Sequence, residues 1–195
     1  MAYPTLDSAY GFKPINLTGG TSYAGSTRRI PIDSAYNVAM FNGDLVTVAA
    51  NGTATRITAE TGVKIAGVFL GCEYTNANDQ LEFSQSYPGT SVSNAFAVVM
   101  DNPSVLCKVA IVTTAGAVDD TLTRAAVGAN ASIEQALGGV TATGNSRLGM
   151  TKVVAATNTL PLRIIDLVED TKTSNGYVEA IVKFNTHQYN DTTGV

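Results

Sequence analysis

A mainly β fold, a small β-barrel or β-sandwich with little helix, is what this 195-residue sequence predicts, and three features carry the reading. Short apolar runs alternate with polar residues at period two. Tight-turn dipeptides such as Asn42-Gly43 and Asn51-Gly52 fall between those runs. Nowhere does a 3.6-residue apolar period last beyond about two turns. Many short strands separated by Gly, Asn and Pro turns pack as a sandwich or close as a barrel.

Residues 1–36 read as an extended N-terminal arm. Tyr3, Pro4, Tyr10, Phe12, Pro14, Tyr23 and Tyr36 sit there among Gly, Ser and Thr residues with no sustained period of either kind. Aromatics on irregular backbone need apolar surface, and either the protein's own body or a neighbouring subunit or larger scaffold can supply it. Residues 37–195 form the β-rich body, divisible into lobes 37–94 and 95–195.

Within the body, Leu45–Ala50 and Thr53–Ile57 flank Asn51-Gly52 and make a hairpin. The β-rich run Val63–Gly71 is long enough for a central strand, with Gly67 as a bulge or a point of close backbone approach. A polar insertion follows from Glu73 to Asn94, projecting as a loop or hairpin with at best one short strand around Leu81–Ser84. Ala95–Met100 and Val105–Val112 flank the turn Asp101-Asn102-Pro103. In the second of these, Val105, Cys107, Val109 and Ile111 share one face. Thr121–Val127 and Ser132–Leu137 are the only helix-like stretches, with Thr121 and Ser132 as N-caps and Gly138-Gly139 as a stop. Strands are expected over Arg147–Val154, Thr159–Asp166 and Tyr177–Thr186, the last with Val178, Ala180, Val182 and Phe184 inward after a turn at Ser174-Asn175-Gly176.

Composition narrows the function classes. Charged residues are 14% of the chain, against about 25% in an average soluble protein. So sparse a charge gives a free monomer little protection against association and points towards assembly. Net charge is −4 and the basic residues are scattered apart from Arg28-Arg29, so no basic face for nucleic acid is expected. No apolar run approaches the roughly 18 residues of a membrane span, and the N-terminus lacks the basic and apolar regions of a secretory signal. The chain is therefore expected to stay in the cytosol until a partner captures it.

Chemistry-bearing motifs are sparse. Cys72 and Cys107 match no zinc or redox spacing and read as buried free thiols. His187 is the only histidine, with no nucleophile in a motif context, and reads as a strand-end residue hydrogen-bonded to a loop. The neighbours Asp119-Asp120 and Glu169-Asp170 read as solvated turn residues, without calcium-loop spacing. The glycines form neither a phosphate loop nor a dinucleotide fingerprint. No enzyme activity, metal or cofactor is expected.

The order of several segments resembles a family of tailed-bacteriophage virion proteins described as capsid decoration, cement or structural proteins. The segments are Tyr10-Gly-Phe-Lys-Pro14, Asn42-Gly-Asp44, Ile65-Ala-Gly-Val-Phe-Leu-Gly-Cys-Glu-Tyr74, Val127-Gly-Ala-Asn-Ala131, Thr143-Gly-Asn-Ser146, Leu160-Pro-Leu-Arg-Ile-Ile-Asp-Leu167 and Val182-Lys-Phe-Asn-Thr-His-Gln-Tyr189. Each is turn and strand punctuation. Together they cover nearly the whole chain. The resemblance implies a β-rich body, β-tulip-like over Asp44–Gly71, on the exterior of a tailed-phage head. It further implies a homotrimer bridging major capsid proteins, with the arm gripping the shell and the host cytoplasm as the site of assembly. The side chains expected to make capsid contact are Tyr10, Phe12, Pro14, Tyr23, Arg28 and Arg29, because aromatics and arginines carry most interface energy. On that reading, deleting residues 1–29 leaves a folded body that binds capsids poorly. The rival readings are a head-tail connector or tail structural protein, and a virion-displayed host-surface or glycan-binding module working through Glu73–Asn94.

Overall fold

The computed structural model describes residues 8–113, 117–119, 121–135, 138–168 and 178–192. Tyr3, Pro4, Asp120, Glu169, Asp170 and the turn Ser174-Asn175-Gly176 lie outside these residues. The strands in chain order are β1 (Lys13–Leu17), β2 (Arg28–Pro31), β3 (Met40–Phe41), β4 (Leu45–Val48), β5 (Ala54–Arg56), β6 (Gly67–Asn76), β7 (Leu81–Ser84) and β8 (Ser86–Tyr87). They continue with β9 (Val92–Met100), β10 (Val105–Val112), β11 (Asn130–Glu134), β12 (Gly139–Val140), β13 (Asn145–Ser146), β14 (Gly149–Ala155), β15 (Leu162–Val168) and β16 (Glu179–Phe184).

The protein is mainly β and contains a closed five-strand barrel in the order β10-β14-β11-β15-β16, with β16 returning to β10. Alternation explains the closure. Val105, Cys107, Val109 and Ile111 of β10 meet Val178 and the β16 residues Ala180, Val182 and Phe184 in one buried core, because successive side chains of a strand point to opposite faces. Ile133, Met150, Leu162 and Ile164 complete its lining. One edge of β10 is shared: β1 pairs with its first half and β14 with Ile111 and Val112.

A second sheet runs β2-β9-β6-β4-β5, and β7 pairs with the part of β6 that extends past β4. Its centre is the long antiparallel pair β6 and β9, where Gly67 is indispensable: a Cβ there would lie 2.1 Å from the Met100 carbonyl oxygen. Ile30, Met40, Val46, Phe69, Tyr87 and Val99 fill the core under this sheet.

Both sheets meet where two glycines cross. Gly11 and Gly43 hold φ of +80° and +96°, a region that costs residues with a Cβ. Their backbones are so close that a Cβ on Gly11 would stand 2.8 Å from the Gly43 carbonyl oxygen. Phe12 N–H donates to that same oxygen at 2.9 Å, and Gly43 N–H to the Phe69 oxygen at 2.8 Å.

Five expectations are corrected. From Ser8 onward the segment read as an arm lies on the body and contributes β1 to the first sheet and β2 to the second. Of the helix expected over Ser132–Leu137, Ser132–Glu134 instead belong to β11, which pairs with β14, and residues 136–137 lie outside the described residues. Thr121–Val127 holds a single 3-10 turn, Arg124–Ala126, with Thr123 as its N-cap residue. The polar insertion is narrower than Glu73–Asn94, because β6 continues to Asn76 and β9 begins at Val92, and it carries two strands, β7 and β8. Sheet membership also divides between β9 and β10, at residues 101–104, rather than at residue 94.

Candidate contact surfaces

The six side chains expected to grip a partner separate into two groups. Phe12 is fully buried in the barrel core with its ring 6.1 Å from that of Phe184. Pro14 is paired with Cys107 across β1 and β10. Tyr10 donates its hydroxyl proton to the Glu179 carboxylate, and Tyr23 packs against the barrel core with its hydroxyl on the Ser26 carbonyl. All four pack on the protein's own body, Phe12 completely and Tyr10, Pro14 and Tyr23 in part. Phe12 in particular is inaccessible to any partner.

Arg28 and Arg29 are exposed on β2, an edge strand. Arg28 pairs with Asp101 at 2.8 Å and lies over the Tyr189 ring at 4.8 Å. Arg29 pairs with Glu73 and lies over the Phe96 ring at 4.5 Å. Beside them runs a groove of about 440 Å³ between β2 and the β4–β5 hairpin, floored by Ile30, Pro31, Val48 and Tyr189. Gln188 closes one wall: its amide donates to the Val48 carbonyl at 2.8 Å and accepts from Val48 N–H at 2.9 Å, as a neighbouring strand would.

The most exposed large apolar side chains among the described residues lie elsewhere. Phe83 is 75% and Leu81 63% exposed on β7, and Val153 on β14 is 64% exposed. Register explains the first two. Phe83 stands opposite Glu73 and Leu81 opposite Thr75, whereas the inward positions of this part of β6 are the buried Cys72 and Tyr74. Leu81 and Phe83 therefore share the outer face. The sequence reading placed a short strand here, and a rival reading put a binding site over Glu73–Asn94, but neither singled out Leu81 or Phe83, since two apolar residues in a polar stretch look unremarkable. The available signal was their i, i+2 spacing.

The titratable groups are built into the body. Asp44, with no solvent exposure, accepts from Phe41 N–H at 2.9 Å and from Ser146 Oγ at 2.6 Å, and its Oδ2 is 3.2 Å from Arg56 Nε. Burial pushes its carboxyl above the usual range, and the Arg56 charge and these hydrogen bonds offset only part of that. Asp119, expected as a solvated turn residue, is instead buried and paired with Lys152 at 2.8 Å. Burial pushes it up, but the hydrogen bonds from Lys152 and Thr121 outweigh burial and hold it below the ordinary value. Glu179 is buried and takes Lys108 Nζ at 3.0 Å.

His187 bridges the Ile65 backbone and accepts from Tyr189 N–H through Nδ1 at 3.2 Å, a strand-end role with its ring packed against Phe184 and Tyr189. Burial lowers its pKa, outweighing the opposing influence of Asp101 and the Ala66 backbone. Both cysteines are buried free thiols. Burial raises Cys72 to about 12 and Cys107 further in the same direction. No group of three or more metal-ligating side chains comes together among the described residues.

No family model, no curated protein and no solved structure matches this chain. The exposed side chains of β7 and β14 offer apolar contact, while the interior carboxylates of Asp44, Asp119 and Glu179 are engaged by Ser146, Lys152 and Lys108, and the buried Nε2 of His187 has no hydrogen-bond partner among the described residues.

Proposed function

We propose that this protein is a capsid decoration protein that binds the outer surface of a tailed-phage head and stabilises the shell by bridging major capsid proteins. Two things support the reading: the resemblance carried by the ordered segments from Tyr10 to Tyr189, and the exposure of Leu81 and Phe83 side by side on one strand face. The second carries the mechanism. Fully burying an aliphatic or aromatic side chain of this size contributes about 1.5–3 kcal/mol, so two largely exposed ones supply a useful fraction of a contact at no cost in folding the free protein. A specific interface needs about 800 Å² per partner, and the outer face around β7 offers a platform for it.

On this reading the contact lies on the β6–β7 hairpin instead of the N-terminal aromatics, with Arg29, which pairs with Glu73 on the same sheet face, as a neighbouring charge. Each bound copy that touches two capsid subunits adds its own contact energy to the separation of those subunits. Repetition over the shell multiplies a modest contact into mechanical resistance.

Co-sedimentation with purified capsids stripped of the protein tests this. Wild-type protein is expected to pellet with capsids, and Phe83→Ser to bind at least tenfold more weakly, while both melt at similar temperatures because Phe83 is outside either core. Equal binding by the two would refute the assignment of the hairpin as the docking element.

A further inference from the structure

Three strands of the second sheet are edges, β2, β5 and β7, and the two that flank its central pair directly, β2 and β7, are not alike. On β2, Ile32 N–H donates to the Ala95 carbonyl at 2.8 Å, so by the alternation of antiparallel pairing Ile30 also faces β9, and Arg29 and Pro31 face outward. Pro31 has no N–H to offer, and the exposed charged side chains Arg28 and Arg29 flank it. That edge is blunted in the way natural sheets avoid unwanted pairing.

The β7 edge has no proline, and its one charged residue, Glu82, sits at a position whose backbone faces β6. Asn76 N–H donates to the Gln80 carbonyl at 2.9 Å, which sets the alternation so that Glu82 and Ser84 face β6 while the N–H and C=O groups of Leu81 and Phe83 point away from the sheet. Those outward groups have no strand partner among the described residues. A strand of two exposed apolar residues with an open row of donors and acceptors is a template for another strand.

We propose that β7 pairs antiparallel with β7 of a second copy about a two-fold axis, forming one continuous sheet across two molecules. Charge selects the register. Centring the axis on Glu82 sets two glutamates directly opposite each other, which is destabilising. Centring it on Leu81 runs Phe83 against Asp79 of the second copy, where the chain has left the strand for a turn at φ +58°. Centring it on Phe83 places Phe83 opposite itself, with its N–H and C=O bonded reciprocally, and Glu82 opposite Ser84 of the second copy. No like charges meet in that register. Because directly opposed residues project to the same face, the pair also unites both copies of Leu81 and Phe83 into a single apolar patch.

The pairing goes beyond the capsid reading and does not depend on it, since it is expected of the free protein. A two-fold pair also differs from the trimer that the family resemblance implies. Sedimentation equilibrium of the full chain, taken to about 1 mM so that a millimolar Kd is still detected, tests it with three variants. Wild type is expected to show a reversible monomer–dimer equilibrium. Ser84→Glu, which opposes Glu82 of the second copy, should weaken the dimer at least tenfold. Adding Glu82→Lys to Ser84→Glu should restore it, although the Ser84 hydroxyl that accepts from Ser86 N–H is still missing, so restoration isolates the contact between copies. Phe83→Pro should abolish the dimer by removing an outward N–H that the protein's own ladder does not use. A wild type that stays monomeric throughout, a trimer, or a dimer indifferent to the charge changes would overturn the proposal.

Discussion

The Ser146 hydroxyl donates a 2.6 Å hydrogen bond to Oδ1 of Asp44, a carboxylate shielded from solvent and 102 positions away in sequence. The bond ties the β12–β13 hairpin to the turn before β4, beside the crossing of Gly11 and Gly43. Ser146 also accepts from Leu148 N–H at 3.0 Å. Replacing Ser146 by Ala keeps the Cβ that Gly11 packs against and leaves both groups short of a partner. Hydrogen bonds to charged groups contribute about 1.5–3 kcal/mol, so Ser146→Ala should lower stability by about that amount, read as a reduced urea midpoint with unchanged slope.

Phe12 gives the clearest contrast between an arm and a body. Truncating a fully buried Phe costs about 3–5 kcal/mol, and Phe12→Ala should lose that much in chemical denaturation. Deleting residues 1–29 removes Phe12, all of β1 and the first two residues of β2. The truncated chain should show no cooperative melt, where a free arm would leave the melt intact.

Acid should act on the fold through opposing groups. Asp119 has a lowered pKa, so its contribution is present above the ordinary value of 3.8 and is lost as pH falls through its lower folded value. Asp44 is raised, so its contribution is fully present below 3.8 and is lost as pH rises through its higher folded value. His187, lowered from 6.5, favours the neutral form, and stability should begin to fall as pH drops below 6.5. His187→Asn retains an acceptor for Tyr189 N–H and should flatten the melting temperature between pH 7 and 5, as followed by circular dichroism.

Both thiols are buried and pushed towards the protonated form, which is unreactive. A thiol-specific disulfide reagent should therefore label neither Cys72 nor Cys107 in the native protein on the scale of minutes, and both after denaturation. Rapid native labelling of either would contradict the burial of these strands.

The strands that could be read in advance are those with one face in a core. Val105, Cys107, Val109 and Ile111 alternate because the other face of β10 is less apolar, and Val178 to Phe184 do the same in β16. Lys13–Leu17 could not be read that way: with Pro14 and Asn16 inside it, β1 has no clean alternation, and its partner β10 lies some ninety residues downstream. In Asn130–Glu134, pairing with β14 and β15 overrides the pattern that made Ser132–Leu137 look helical. The proposed contact surface was hidden for a related reason. Leu81 and Phe83 are two apolar residues in a polar stretch, and only the pairing of β7 with β6 turns their spacing into a shared exposed face.

A cryo-electron-microscopy map of the purified virion tests the capsid assignment most directly. The prediction is repeated density for this chain on the exterior of the head, with the β6–β7 hairpin turned towards the shell and Leu81 and Phe83 in contact with it. Density confined to the portal or tail, or copies on the head whose β7 faces only solvent, would contradict it.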